Sequence, residues 1–348
     1  MEEADKKFMQ RAIALADLGK YSAAPNPRVG AVIVHDGKII GEGFHHAFGE
    51  AHAEVNAIHS VKNPDLLKKS TLYVNLEPCS HYGKTPPCSE LIIKHQIPRL
   101  LIANSDPFKR VNGKGVKQLR SHGVEVITKV LEQEGQALNR RFFTFHQKQR
   151  PYIILKFAKS KDGYIARKPG DEHLGKWITG DLSKQLVHLW RAEEQAILIG
   201  KNTAKIDNPQ LNCREVAGKS PLRLVIDSQL ELPKSLTIFN DAQPTLLINQ
   251  KIEKRQQNTR FLKRPLGEKL PESIISICKE ENLLSIIVEG GATILKQFIK
   301  ADLWDEARIL SGELLFHSGI KAPEIEGELI RQEKVESDLI QYYRNPRA

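Results

Sequence analysis

One histidine, one glutamate and two cysteines stand at a spacing that suits a catalytic metal site. His52 and Glu54 are separated by one residue, and Cys79 and Cys88 follow downstream, the first directly after Pro78. One imidazole and two thiolates supply three zinc ligands and leave the fourth tetrahedral position for a water, whose pKa zinc lowers to about 7. We therefore predict His52, Cys79 and Cys88 as ligands of one Zn²⁺ per chain, and Glu54 as the catalytic residue that carries protons to the substrate.

Further histidines leave a second interpretation open. A fourth protein ligand would close the zinc site and make it structural, and the candidates are His45, His46, His59 and His81. The chain would then be a non-catalytic scaffold stabilised by zinc. Such a protein unfolds when the metal is chelated and turns over no substrate.

The elements that must position these residues alternate between strands and helices. Apolar residues at helical spacing predict a helix over 5–18, and the apolar run 29–34 predicts a buried strand before the Asp36-Gly37 turn. Further along, we predict a helix over 52–61, a strand over 71–76 and one long helix over 131–145. This alternation predicts an α/β fold whose sheet is covered on both faces.

The alternation starts again after Arg150-Pro151, so we place a domain boundary near residue 148. The predicted domains are residues 1–148 and 149–348. The second domain contains predicted strands at 196–200, 222–226 and 285–288, whereas the acidic region 312–336 is irregular in pattern and predicts no element.

Composition limits the classes of function. The 348 residues are long enough for two domains, and no apolar stretch reaches the roughly 18 residues that span a bilayer, so we expect a cytoplasmic protein. The net charge is +10, with 22 Lys and Arg against 15 Asp and Glu in residues 1–150, and 30 against 27 in residues 151–348. A basic first half is compatible with nucleic acid or with an anionic small substrate. Four cysteines in such a chain do not predict a disulfide framework.

The segment around the cysteines resembles a known family. The run from Asn75 to Cys88 is similar to the deaminase half of the bifunctional riboflavin biosynthesis proteins, and the segments 25–30 and 49–54 match that family as well. Eight residues separate the cysteines, whereas cytidine and tRNA-adenosine deaminases usually carry a short spacer. The resemblance implies a cytidine-deaminase-like three-layer domain. It also implies substrate contacts from Asn26, His45, His81 and Lys84.

The second half lacks the G-x-G-x-x-G fingerprint but resembles the reductase half of the same family, which is similar in fold to dihydrofolate reductase. The matching segments begin at residues 155, 160, 177, 199 and 207 and end with the Glu289-Gly290-Gly291 turn. By this resemblance, the residues that hold NADPH are Lys159, Trp177, Thr203, Asp207, Ser228, Gly290, Gly291, Ala292 and Thr293. By the same resemblance, the substrate-facing residues are Lys156, Gly175, Arg191, Leu211, Arg214 and Glu289, with the arginines on its phosphate.

The resemblance implies two successive reactions on a small phosphoribosylaminopyrimidine. The first is hydrolytic deamination of 2,5-diamino-6-(5-phosphoribosylamino)pyrimidin-4(3H)-one to 5-amino-6-(5-phosphoribosylamino)uracil. The second is NADPH-dependent reduction of the ribosyl side chain to ribityl. It also implies a homodimer or higher homo-oligomer with no nucleic-acid or membrane partner. The alternative function is a tRNA base deaminase with an accessory binding domain.

Three features depart from the family pattern. Lys161 stands where leucine is common, and Gly175 stands where serine is frequent. The tail from Trp304 onward matches only loosely. These departures fall in the reductase half, so we expect any difference in activity to concern the second reaction.

Overall fold

A computed structural model of the chain describes residues 3–80, 82, 86–108, 113–168, 177–240 and 242–348. The predicted site residues His81, Lys84 and Gly175 lie outside the described residues. The chain divides into two compact units, residues 1–149 and 150–348. No described helix is both long and apolar enough to cross a lipid bilayer.

The first unit is built on a five-stranded mixed sheet with the strand order β2-β1-β3-β4-β5. The pairs β2-β1 and β1-β3 are antiparallel, whereas β3-β4 and β4-β5 are parallel. The strands are β1 (Gly30–His35), β2 (Lys38–Phe44), β3 (Thr71–Leu76), β4 (Arg99–Asn104) and β5 (Glu125–Ile127). The helices are α1 (Glu3–Asp17), α2 (Ala53–His59), α3 (Cys88–Lys94), α4 (Lys114–Ser121), α5 (Glu132–Leu138) and α6 (Arg140–Lys148), with a 3-10 helix at Pro64–Lys69.

Both faces of this sheet are buried. Successive side chains of a strand point to opposite faces, so Ala31 and Ile33 pack with α2 on one side while Val32 and Val34 pack with α1 on the other. Two helical layers therefore enclose the sheet, as the alternating pattern predicted. The predicted hairpin is also confirmed, because Asp36 and Gly37 have φ of 47° and 71°, as a tight two-residue turn between β1 and β2 requires.

The prediction of one long helix over 131–145 is wrong. The structure has two short helices, α5 and α6, which meet at Asn139. The Asn139 side chain exchanges hydrogen bonds with the Arg28 backbone, 111 residues earlier in the chain, at 2.9 and 2.8 Å. A partner so distant in sequence leaves no local signal.

The second unit contains a ten-stranded sheet in the order β11-β12-β10-β9-β8-β13-β6-β14-β17-β16. Its strands from β12 to β14 are parallel, and β11, β17 and β16 run antiparallel to their neighbours at the two ends. Its first strands are β6 (Tyr152–Lys159), β8 (Ala196–Gly200), β9 (Leu222–Ile226), β10 (Thr245–Asn249), β11 (Lys254–Gln256) and β12 (Thr259–Lys263). The later strands are β13 (Ser285–Val288), β14 (Glu306–Ser311), β16 (Glu328–Val335) and β17 (Asp338–Arg344), while β7 (Tyr164–Ala166) pairs separately with β15 (Ile320–Lys321).

Helices cover both faces of the large sheet. Ile153 and Leu155 of β6 pack on the side of α9 and α10, and Ile154 packs on the side of α7 and α8. The helices are α7 (Asp181–Glu193), α8 (Lys201–Asp207), α9 (Leu270–Glu280) and α10 (Ala292–Lys300), with 3-10 helices at Thr237–Phe239 and Gly267–Lys269. The interpretation of 312–336 as irregular is wrong, because β15 and β16 lie within it. The β16 residues are mostly exposed, so they lack the alternating apolar pattern of a half-buried strand.

Candidate active sites

The start of α2 carries the predicted histidine and glutamate. His52 is the residue before the first turn, with extended backbone angles, and Glu54 lies in that turn with only 3% of its surface exposed. Gly43 of β2 allows the helix to lie directly on the sheet, because a Cβ there would overlap the backbone of Ala53 and Ala57. The sheet therefore holds the beginning of α2 in place and buries the Glu54 carboxyl.

The two cysteines meet through the start of α3. Cys79 follows β3, and Cys88 is the first residue of α3. The Cys88 backbone N–H donates to Cys79 Sγ at 3.3 Å, and the Ser89 N–H donates to the Cys79 carbonyl oxygen at 3.1 Å. Amides at the start of a helix favour a negative charge, so this position favours the thiolate of Cys79.

The three predicted ligands converge. His52 Nδ1 lies 3.3 Å from Cys88 Sγ and 3.6 Å from Cys79 Sγ, and all three ligand atoms lie within 4.8 Å of one another. Bonds of about 2.0–2.3 Å in a tetrahedron place neighbouring ligand atoms about 3.5 Å apart, so the donor set fits Zn²⁺. Among the described residues, this group of potential metal ligands contains these three side chains and no other.

Ionisation already suits a metal at Cys79, whereas His52 and Cys88 must each give up a proton to bind one. A hydrogen bond with Cys79 raises the pKa of His52 to about 9, and a hydrogen bond with Cys88 lowers the pKa of Cys79 to about 4. The pKa of Cys88 is raised, first by its hydrogen bond to Cys79 and then by burial. The sulfur of Cys79 is therefore a thiolate, the form that binds a metal. Burial raises the pKa of Glu54, which suits a group that must both take up and release protons.

The other described candidate ligands, His45, His46 and His59, lie outside this group of three. His45 is buried, with Nδ1 3.0 Å from the Ala51 carbonyl oxygen and Nε2 3.0 Å from Asn26 Nδ2. The His46 ring stacks on Phe44 at 4.1 Å, and His59 is exposed at the end of α2. Two predicted substrate residues, Asn26 and His45, are thus brought into contact. The His45 ring also lies edge-on to His52, with 5.7 Å between ring centres.

Two buried asparagines position the loop that carries Asn26. Asn75 Oδ1 accepts from the Gly30 N–H at 2.8 Å, and its Nδ2 donates to the Arg28 carbonyl oxygen at 3.0 Å. Asn139 binds the amide and the carbonyl of Arg28 from another direction. The sequence analysis did not assign a role to either amide, and only Asn75, next to the cysteine motif, could have been found from its neighbours.

The Glu77 side chain binds the backbone of the segments that follow β4 and begin α4. Its carboxylate accepts the backbone N–H groups of Asp106, Gly113 and Val116 at 3.3, 3.0 and 3.3 Å. Burial raises the pKa of Asp106 to about 6. One carboxylate two residues before Cys79 therefore anchors the start of α4 and the end of β4.

The second unit has a cleft beside α7 at the carboxyl ends of the parallel strands. Because successive side chains of a strand point to opposite faces, Lys156 of β6 points toward α7. Arg191 of α7 donates two hydrogen bonds, of 2.9 and 2.8 Å, to the Glu289 carboxylate. Lys156 Nζ lies 3.6 Å from the same carboxylate. Burial alone would raise the pKa of Glu289, but the charges of Arg191 and Lys156 outweigh it and lower this pKa to about 2. Burial lowers the pKa of Lys156, while Glu289 and Asp207 act in the opposite direction. Three predicted substrate residues therefore form one buried charge cluster.

The glycine turn after β13 fits a phosphate of NADPH. Gly290 packs directly on the backbone of Ile199 and Gly200, and Gly291 has a φ of 62°, so both positions require glycine. A Cβ on Gly291 would lie 3.6 Å from Thr203 Oγ1, which places the turn beside α8. Ala292 and Thr293 begin α10, whose first amides point toward the turn.

Some of the predicted reductase residues line the cleft, and the others lie elsewhere in the second unit. Trp177, Arg191, Arg214 and Lys156 line the cleft. Trp177 is 60% exposed, so it is not a core residue, and Lys184 Nζ lies 4.2 Å from its ring centre. The remaining positions are Lys159 at the end of β6, Ser228 after β9, Asp207 at the end of α8, and Leu211, whose side chain is buried.

Two titratable residues of the cleft were not predicted, Lys184 and His188. They precede Arg191 by seven and three residues, the spacing of one helical face, and this is the signal that could have found them. The divergent Lys161 lies at the surface, where Nζ contacts Glu313 Oε2 at 2.6 Å with both side chains about 60% exposed.

Comparisons with known proteins agree for both units. The family described as the cytidine and deoxycytidylate deaminase zinc-binding region matches residues 2–104, and the RibD C-terminal domain matches residues 151–338. Riboflavin biosynthesis protein RibD of Aquifex aeolicus is 37% identical over 359 residues, covering 99% of each chain. The Escherichia coli RibD is 33% identical, covering 87% of this chain and 86% of its own.

A solved structure has the same arrangement of elements. The diaminohydroxyphosphoribosylaminopyrimidine deaminase/5-amino-6-(5-phosphoribosylamino)uracil reductase of Thermotoga maritima matches with a TM-score of 0.88 and 36% identity, covering 98% of this chain and 99% of its own. The His-Cys-Cys donor set and the zinc-binding deaminase domain fit Zn²⁺, and the reductase domain fits NADPH. With a deaminase domain followed by a reductase domain, this chain belongs to the RibD family of bifunctional riboflavin biosynthesis enzymes.

Proposed function

We propose that the first unit deaminates 2,5-diamino-6-(5-phosphoribosylamino)pyrimidin-4(3H)-one and that the second unit reduces the ribosyl chain of the product with NADPH. The observation that carries the proposal is the convergence of His52, Cys79 and Cys88 within 4.8 Å beside the buried Glu54. The product of the first reaction keeps its ribosyl phosphate. A cleft lined by Lys156, Arg191 and Arg214 suits that anionic group.

In the first unit, His52, Cys79 and Cys88 would hold Zn²⁺, which when bound supplies an acidic water at neutral pH. Glu54 takes one proton from the attacking water and delivers it to the ring nitrogen, and it then carries the second proton from the new hydroxyl group to the leaving amine. Water adds its oxygen to the ring carbon, and ammonia leaves. The buried carboxyl suits this role because its raised pKa makes the protonated form accessible.

Asn26 and His45 would read the edge of the pyrimidine. The Ala51 carbonyl can only accept, so His45 Nδ1 carries the proton and Nε2 accepts from Asn26 Nδ2. Burial lowers the pKa of His45, which keeps the ring neutral. This pair orients the Asn26 amide, whose oxygen can accept from an amino group of the substrate. The resemblance adds His81 and Lys84 to this pocket.

In the second unit, Arg214 is the better candidate for the substrate phosphate, because its contacts with Asn212 and Glu215 are solvent-exposed, whereas the 13% exposed Arg191 is held by Glu289 through two nitrogens. Arg214 lines the cleft with its side chain 42% exposed. Lys156 and Glu289 would contact the reacting end of the substrate. The remaining proposed contacts come from the resemblance: Gly175 and Leu211 to the substrate, and Lys159, Trp177, Thr203, Asp207, Ser228 and residues 290–293 to NADPH.

Replacing Glu54 tests the deaminase assignment. We expect Glu54→Gln to lower ammonia release about 10²- to 10⁴-fold, because the amide cannot carry the proton. NADPH oxidation with the deaminated intermediate should stay unchanged. The control is Glu134→Gln, at an exposed position of α5, which should leave both rates intact. Loss of both activities in a folded Glu54→Gln protein would contradict the two-site assignment.

We further propose a homo-oligomer with no nucleic-acid partner. One of the two outermost strands of the large sheet, β16, supports self-association, since Leu329 and Ile330 are 44% and 43% exposed and no described strand pairs with its outer edge. Sedimentation should give a mass above one chain. A tRNA deaminase would instead bind tRNA with a steep dependence on salt, which a titration detects. The cytoplasmic location stays a prediction, tested by cell fractionation.

A further inference from the structure

The segment that follows α8 carries Arg214, the candidate for the substrate phosphate. The backbone of this segment is anchored, because Leu211 and Cys213 are only 2% and 8% exposed. Gln243 Nε2 donates to the Leu211 carbonyl oxygen at 3.2 Å, and the Cys213 N–H donates to Ser220 Oγ at 3.2 Å. Arg214 itself is exposed, so an anchored backbone alone would leave its long side chain many rotamers.

Two polar side chains connect this anchored backbone to the Arg214 guanidinium. Asn212 Oδ1 accepts a hydrogen bond from Arg214 Nη1 at 3.1 Å, and Asn212 Nδ2 donates to Gln210 Oε1 at 3.0 Å. A guanidinium can only donate, which fixes the orientation of the Asn212 amide, with its oxygen toward Arg214 and its NH2 group toward Gln210. Residues 210, 212 and 214 therefore form one chain of hydrogen bonds that ends at the cation.

These contacts leave part of the guanidinium available for an anion. Asn212 accepts from Nη1, and Glu215 Oε1 lies 3.4 Å from Nε. Within the described part of the chain, no residue forms a hydrogen bond with Arg214 Nη2. The Asn212 amide carries no net charge, so it orients the cation without neutralising it. Glu215 is 45% exposed, and water screens its attraction for Arg214.

Asn212 acts on the cleft only through its neighbour. Arg214 lines the cleft, whereas Asn212 and Gln210 are not among the described residues that line it. We propose that Asn212 is a positioning residue of the reductase site, which holds Arg214 in the orientation that binds the phosphate of the ribosyl substrate. The inference rests on the proposed contact between Arg214 and that phosphate. A side chain that is already held loses less conformational entropy when the phosphate binds, so the affinity rises.

The effect of Asn212 should depend on the substrate phosphate. KM is measured for 5-amino-6-(5-phosphoribosylamino)uracil and for the same compound without its phosphate. We expect Asn212→Ala to raise the first KM about threefold to tenfold, as for the loss of one hydrogen bond, and to leave the second within about twofold. The value of kcat should change little with either substrate, because a phosphate contact binds ground and transition states alike.

A double-mutant cycle tests whether Asn212 acts through Arg214. Arg214→Ala should raise KM for the phosphorylated substrate about tenfold to a hundredfold, as for the loss of hydrogen bonds from a charged group. Adding Asn212→Ala to that variant should have no further effect, because the side chain that Asn212 holds is gone. The matched control is Gln185→Ala, which removes an exposed amide of α7 outside the described lining of the cleft and should change neither KM.

The outcomes separate this inference from the proposed function. A wild type that oxidises no NADPH with the phosphorylated substrate, or whose KM is the same without the phosphate, would contradict the proposed function and the inference with it. An effect of Arg214→Ala with none of Asn212→Ala would overturn the role of Asn212 alone.

Two further results would also overturn the role of Asn212, because each indicates a general structural effect. One is a KM that rises equally for both substrates in Asn212→Ala, and the other is an added loss in the Arg214→Ala background. The ratio of the two KM values within one protein does not depend on how much of the enzyme is folded. The comparison therefore holds for a variant of lower stability.

Discussion

At the scale of single residues, the charged groups of the reductase unit form ion pairs with one another. The resemblance assigns Lys156, Arg191 and Glu289 separately to the substrate, yet they form one buried cluster with contacts of 2.8 to 3.6 Å. Burying three charges is costly unless each is paired. Glu289 holds the two cations in place, so its loss should affect stability as well as substrate binding.

The lowered pKa of Glu289 makes a pH-dependent contribution to stability. This pKa is about 2 in the folded chain against an ordinary value of 4.5, so the unfolded chain takes up the proton first as the pH falls. The stabilisation is therefore complete above pH 4.5 and is lost as the pH falls toward 2. We expect Glu289→Gln to lower the free energy of unfolding by about 3–5 kcal/mol at pH 7, and by much less at pH 3.

Tryptophan fluorescence in urea measures this difference in one unit only, because all three tryptophans lie in residues 150–348. A control is Glu313→Gln, which removes an exposed ion pair and should leave the unfolding curve unchanged. A stability difference between wild type and Glu289→Gln that stays constant from pH 7 to pH 3 would contradict the assignment.

At the scale of elements, the tail of the chain supports the cleft. Asp338, the first residue of β17, accepts hydrogen bonds from the Gly180 N–H at 2.8 Å and from Ser183 Oγ at 2.6 Å. It therefore caps the start of α7, the helix that carries His188 and Arg191. The family match extends to residue 338, well into the tail that was expected to match only loosely, and this tail completes this face of the cleft.

Removing this cap should weaken α7. We expect Asp338→Ala to lower the free energy of unfolding by about 1–2 kcal/mol, the usual cost of losing a helix cap, and to raise the KM of the reductase substrate. Asp338→Asn keeps one acceptor and should lose less. Urea unfolding followed by tryptophan fluorescence gives the first quantity, and steady-state kinetics give the second. An alanine variant as stable as the wild type would show that the cap is dispensable.

At the scale of the whole molecule, each compact unit contains a complete set of candidate residues. The zinc ligands and Glu54 lie in residues 1–149, and the glycine turn and charge cluster lie in residues 150–348. The two activities should therefore respond separately to treatments that act on one site.

Chelation provides that test. A zinc chelator should abolish ammonia release, since the metal supplies the acidic water, and should leave NADPH oxidation with the deaminated intermediate unchanged. Added Zn²⁺ should restore the first activity. Ammonia and NADPH absorbance can be measured on the same sample. Parallel loss of both activities, without unfolding, would indicate that the units do not act independently.

Local patterns in the sequence were sufficient for several buried strands and for the group of His52, Cys79 and Cys88. The strands at 71–76, 196–200, 222–226 and 285–288 have the predicted bounds, because continuous apolar runs between turn residues suit buried strands. His52, Glu54 and Cys88 lie at helix starts, and their residue types limit the chemistry to a few possibilities. These predictions needed only residues that lie close together in the sequence.

Contacts between distant segments were decided only by the tertiary structure. Asn139 ends a helix because it binds Arg28, 111 residues away, and Asp338 caps a helix that begins near Gly180, 158 residues away. Lys156 and Arg214 line one cleft together with α7, although 58 residues separate them in the sequence. Such hydrogen-bond partners depend on the fold of the whole chain, because a buried polar group bonds to whichever partner the tertiary structure brings close to it.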